Sequence, residues 1–199
     1  MDKSSDPINK YRQRYSLAHL SALPLPPHEL IDLAIATGYD HVGVRLLPPA
    51  PGIAFYPIMD DASQLKEVMA RLADHPNVVW DVEVIRLTPN FKVDALEPAI
   101  ACAQKIGARA VLVSAGPVED PMELAQYFSD FCELAASWGL TANVEFMPWT
   151  PVPDLSAALA LIKNAGSPAN ARVLADTIHV ERSRTTLRDW AAVPETLID

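Results

Sequence analysis

Short runs rich in valine, isoleucine, leucine and alanine recur along this chain, each followed by a longer segment bounded by helix-start and helix-stop residues. The runs predict strands over 15–19, 41–47, 78–87, 108–114, 140–146 and 173–179. Their apolar character matches parallel strands covered on both faces, not half-exposed antiparallel ones. Helices are predicted over 28–37, 62–73, 154–164 and 186–192. Two more start where Asp94 with Glu97 and Asp120 with Glu123 have capping-box spacing, with Pro121 fitting the first helical position. Gly38, Gly107, Gly139 and Gly166 follow helical runs, where a residue of positive φ commonly ends a helix.

Six strands, each followed by a helix, form a repeated βα unit. The last three begin near residues 108, 140 and 173, a spacing that favours an α/β barrel or a doubly wound sheet. A GxGxxG after the first strand and a GxxxxGK[ST] anywhere are both missing, so the dinucleotide and P-loop readings lose their usual support and the (β/α)8 TIM-barrel type is preferred. At 199 residues, half of them hydrophobic, the chain can bury one sizeable core, and 1–199 reads as a single domain.

Charge narrows the partners. Sixteen basic against twenty-five acidic residues leave a net charge of −9, which repels phosphate backbones and argues against nucleic acid. The start, Met-Asp-Lys-Ser-Ser-Asp-Pro, has no apolar signal region, and no apolar run approaches the ~18 residues that span a bilayer, so a cytoplasmic protein with no membrane partner is expected. Cys102 and Cys132 sit on helical patterns among alanine and leucine and read as small buried hydrophobes.

The candidate chemistry lies in the last two strands. Thr141-Ala-Asn-Val-Glu-Phe146 delivers Glu145 near its end, Arg172-Val-Leu-Ala-Asp-Thr-Ile-His179 delivers Asp176, and His179 follows three residues later. Strand ends of a parallel barrel face a shared mouth, where hard oxygen ligands can hold a divalent cation. Both acids have an alternative structural reading, as buried charges paired with Arg45, Arg86 or Arg182. Asp81 and Glu83 alternate on one face of the third strand, and Glu83 either shapes a pocket or is salt-bridged to Arg45 or Arg86. His19 ends the first strand and could reach the mouth, whereas His41 and His75 start strands at the other end. Trp149 either stacks on a ligand ring or packs its loop. Two Pro-stiffened aromatic loops, 48–60 and 147–153, would wall the site.

Val144-Glu-Phe-Met-Pro148, Leu174-Ala-Asp-Thr-Ile-His179 and Val42-Gly-Val-Arg-Leu-Leu-Pro48 with its proline-rich loop resemble the sugar phosphate isomerase/epimerase family of xylose-isomerase-like TIM barrels, whose superfamily includes endonuclease-IV-like repair enzymes. The resemblance implies a divalent metal (Mn, Mg, Co or Zn) held in order by Glu, Asp, His and Glu from the last four strands. Glu145 matches the first ligand and acid/base residue, Asp176 the second, and His179 the histidine that contacts substrate oxygen beside the metal. Arg45, Trp149, His19 and Glu83 are carried as substrate-binding positions.

The implied reaction is isomerisation or epimerisation of a keto-sugar, sugar phosphate or polyol through an enediolate. Seventh and eighth strands, with two further ligands, lie beyond the six units, so a C-terminally truncated relative is expected. A chain ending naturally at Asp199 would leave open strand edges and self-associate. The competing readings are a catalytically inactive or binding-only remnant and an endonuclease-IV-like DNA repair enzyme, the latter disfavoured by the negative charge.

Overall fold

The computed structural model describes residues 13–198. Six parallel strands form one sheet in chain order: β1 (Ser16–Leu17), β2 (His41–Arg45), β3 (Val79–Leu87), β4 (Ala110–Ala115), β5 (Thr141–Glu145) and β6 (Ala171–Leu174). The crossovers carry α1 (Pro27–Thr37), α2 (Ala62–Asp74), α3 (Glu97–Lys105), α4 (Pro121–Ser137) and α5 (Leu155–Asn164), with the short helices α6 (Thr177–Arg182) and α7 (Leu187–Ala191) after β6. This is the predicted barrel type with six βα units. Beyond α7, Ile198 makes an isolated parallel bridge to Val173, on the free side of β6. No helix among the described residues is long and apolar enough to cross a membrane.

Alternation within the strands decides which face meets the helices. Val42, Val44, Val82, Ile85, Val111, Val113, Ala142, Val144 and Val173 share one buried cluster with helix residues such as Leu30, Ile31, Ile100, Phe128, Phe131 and Ile162. Burying side chains of this size stabilises the fold by roughly 1.5–3 kcal/mol each. The opposite face is not the apolar surface that the sequence runs predicted. Paired residues of neighbouring parallel strands point the same way, so Gly43, Asp81, Ala110 and Thr141 make one row across it. Arg86, Ser114, Glu145 and Leu174 make another, nearer the C-terminal ends of the strands. Gly43 leaves room in the first row for the Asp81 carboxylate, which a Cβ there would force to shift.

Helix boundaries follow local chemistry. Asp61, Asp120 and Asp154 cap α2, α4 and α5 by accepting from backbone N–H groups of the first turn. All four predicted stop glycines have positive φ; at Gly107 a Cβ would in addition sit 3.2 Å from the Pro76 carbonyl oxygen.

Several expectations are corrected. Asp94 is no α-helical cap. Pro98 has no N–H to give to the Asp94 carbonyl, so 93–96 winds as a 3-10 turn and α3 begins at Glu97. Glu123 does not complete a box with Asp120 but accepts from the Tyr127 hydroxyl. A reciprocal box stands instead at Thr186 and Asp189, on α7. The first strand is two residues long, not five. The last stops at Leu174, because Asp176 caps α6 and His179 is helical.

Candidate metal centre

Parallel strands put all their C-terminal ends at one mouth, and the carboxylates of Glu145 and Asp176 meet there with the ring of His179. Each residue offers one ligand atom, and these atoms all lie within 4.8 Å of one another. Glu145 ends β5 on the polar face. Asp176 follows β6 by two residues and divides its carboxylate: Oδ1 accepts from the Ile178 N–H at 2.7 Å and the His179 N–H at 3.4 Å, while Oδ2 lies 3.9 Å from His179 Nε2. The cap thereby sets where α6 begins and places His179 over the strand ends. His179 Nε2 is 3.6 Å from Glu145 Oε1, and its Nδ1 is buried with no hydrogen-bond partner. The Trp149 ring meets the imidazole edge-on at 5.0 Å and is itself largely exposed.

The electrostatics call for a cation. Burial pushes the Glu145 carboxyl up to about 7, and the neighbouring negative charges of Asp176 and Glu83 push the same way. Two carboxylates and an imidazole are a donor set suited to a divalent first-row metal. Ligand atoms bound at ~2.0–2.2 Å to one ion must approach closer than 4.8 Å, so small side-chain rotations would complete the site. The residues present therefore fit a divalent ion.

The other predicted positions form a separate layer toward β1. Arg45 Nη2 donates to Glu83 Oε2 at 2.7 Å, and both side chains are buried. The backbone N–H of His19 donates to Glu83 Oε1 at 2.6 Å. His19 accepts at Nδ1 from the Arg45 backbone N–H at 2.9 Å, and its Nε2 lies 2.9 Å from the Leu25 carbonyl, which fixes the tautomer with the proton on Nε2. Burial lowers the His19 pKa, and its ring stacks on Tyr56 at 5.1 Å. Arg45, Glu83 and His19 are thus tied to one another and to backbone, although Arg45 Nε is buried with no hydrogen-bond partner. His41 and His75 lie at the opposite end of the strands, beside Asn77 and Arg109.

Sequence reasoning missed three features. Ser114 stands in register with Glu145, and Asn143 lies two residues before it on the same face; both are buried polar residues that strand alternation could have flagged. The third is that Asp176 caps a helix, a role hidden by its place at the end of an apolar run.

No protein-family profile matches the sequence, and no curated protein matches it either. Solved structures do. The chain aligns over 93% of its length with 68% of a xylose isomerase domain containing protein from Salmonella typhimurium, at TM-score 0.73 and 19% identity. It aligns over 94% with 70% of an IOLI protein carrying a zinc atom, at TM-score 0.71 and 13% identity. For a D-psicose 3-epimerase solved in the presence of D-fructose the coverage is 87% and 67%, at TM-score 0.69 and 12% identity. The class defined is a parallel α/β barrel. The fold is similar to that of these xylose-isomerase-like TIM barrels, and the chain spans about two thirds of their length.

Proposed function

We propose that this chain carries the metal-binding half of a sugar isomerase or epimerase site. The observation that carries the reading is the convergence of Glu145, Asp176 and His179 at the ends of two adjacent strands. Glu145, Asp176 and His179 would hold a divalent ion, which when bound supplies Lewis acidity toward a substrate carbonyl. The zinc of the IOLI protein and the sugar epimerase among the neighbours support the choice of chemistry.

Within that site Glu145 is the proton-transfer group. Without metal its carboxyl titrates near neutrality because it is buried beside other negative charges; beside a bound cation it would be held ionised, as a base that accepts a proton from carbon must be. His179 directs Nε2 toward Glu145 and would be the nitrogen ligand of the same ion. Asp176 fixes the helix that carries His179. Trp149 shields one side of the imidazole and offers an exposed ring face to a sugar.

The test is deuterium wash-in. The chain is incubated with Mn2+ and a ketohexose in D2O, and loss of the proton beside the carbonyl is followed by NMR. Exchange that depends on metal and vanishes in Glu145→Gln supports the reading. A chain that binds no metal overturns the reading and supports the inactive or binding-only remnant, while metal binding without exchange overturns the proton-transfer role of Glu145 alone.

A further inference from the structure

A cavity of about 570 Å³ lies at the same mouth, between the segments that follow β2 and β3. Its size suits a small organic ligand, for which pockets of roughly 300–1,000 Å³ are usual. The walls are apolar: Pro48 and Pro51 on one side, Phe91 and Leu96 on the other. Its charged lining residues are Arg86 and Lys92, and no aspartate or glutamate joins them, in a chain of net charge −9. Both cations are exposed, and neither has a hydrogen-bond or ion-pair partner among the described residues. Cations left without acids in so acidic a chain, at the rim of an apolar cavity, are arranged for an anion brought from outside.

The sheet register ties this cavity to the carboxylate cluster. Arg86 is paired with Ser114, and Ser114 with Glu145, so Arg86 and Glu145 share a row and a face. Two strand spacings separate them, roughly 10 Å.

We propose that this cavity binds an organic anion. The guanidinium of Arg86, whose fork matches carboxylate and phosphate alike, and the ammonium of Lys92 take its charged group. The apolar part of its skeleton rests against Pro48, Pro51 and Phe91. That the anion is the far end of the molecule processed at Glu145 rests on the function proposed above; the anion site itself does not.

The experiment is an amide NMR titration of the metal-free chain with benzoate, phenyl phosphate and the neutral benzyl alcohol. At least one anion is expected to bind tenfold or more tighter than benzyl alcohol, with shifts centred on Arg86, Thr88, Phe91 and Lys92. Tighter benzoate assigns a carboxylate ligand, and tighter phenyl phosphate a phosphate ester. The variant Arg86→Gln/Lys92→Gln, changed only at exposed positions, should lose at least tenfold for the anion and nothing for the alcohol. Equal binding of all three probes, shifts centred elsewhere, or an unaffected variant would overturn the proposal. Because no metal is present, failure of the metal site at Glu145 leaves this outcome readable.

Discussion

Glu145 Oε1 and His179 Nε2 stand 3.6 Å apart although one ends a strand and the other lies within a helix of the following unit. The contact is made by backbone design: Asp176 starts α6 so early that its first turn lies over the strand ends. An imidazole facing two carboxylates with no hydrogen bond to either is an arrangement that a shared cation would tighten.

Glu145 makes stability depend on pH. Its folded value, about 7, exceeds the ordinary 4.5, so as pH rises the unfolded chain ionises while the folded chain stays protonated. The stabilising contribution is full below about pH 4.5, declines toward pH 7 and is absent above it. Glu145→Gln removes this decline. Urea unfolding should show the variant gaining on the wild type by on the order of 1–3 kcal/mol between about pH 4.5 and pH 8. A pH-independent difference would show that the carboxyl is not perturbed.

Divalent metal should reverse that penalty. Mn2+ or Zn2+ is expected to raise the melting temperature of the wild type, more strongly as pH rises through about 7 and protons stop competing for Glu145. Calorimetric scans of Glu145→Gln with the same metals should show little rise. An equal rise in both would place the ion elsewhere.

Asp176 has two separable duties. Asn caps helices about as well as Asp, so Asp176→Asn should keep stability while weakening metal binding. Asp176→Ala should weaken metal binding as well and lose about 1 kcal/mol of folding stability. Paired denaturation and metal titration of both variants test this; similar stability losses in the two would show that the cap contributes little.

The Arg45–Glu83 pair should be expensive to break from one side. Arg45→Met leaves a buried carboxylate uncompensated and is expected to cost about 3–5 kcal/mol. Arg45→Met/Glu83→Gln removes the charge yet keeps an oxygen for the His19 N–H, and should recover most of the loss. A double variant no more stable than the single one would refute the electrostatic explanation.

Much of the fold was legible because βα units are punctuated locally. Stop glycines and capping aspartates act within a few residues, and a single sequence displays them. The errors arose where one residue has two uses. Asp176 reads as the end of an apolar strand, and only the position of α6 reveals that it caps a helix. Pro98 shortened a helix that capping-box spacing alone would have begun at Asp94. At the site, Glu145 and Asp176 were legible from strand ends. The engagement of Arg45, Glu83 and His19 was not, since it joins two strands and the 3-10 turn that follows β1 across gaps of 26 to 64 residues. Arg86 was weighed only as a salt-bridge partner for these acids, because its place in one row with Glu145 runs through the register of β4.

In β5 the residues Ala142 and Val144 hold the helices, while Asn143 and Glu145 between them face the mouth. Substitutions at the second pair leave the first untouched. The same scaffold can therefore be re-equipped for another substrate one alternate residue at a time, with the helical shell unaware of the change. A lineage built this way can change its chemistry while keeping its shape.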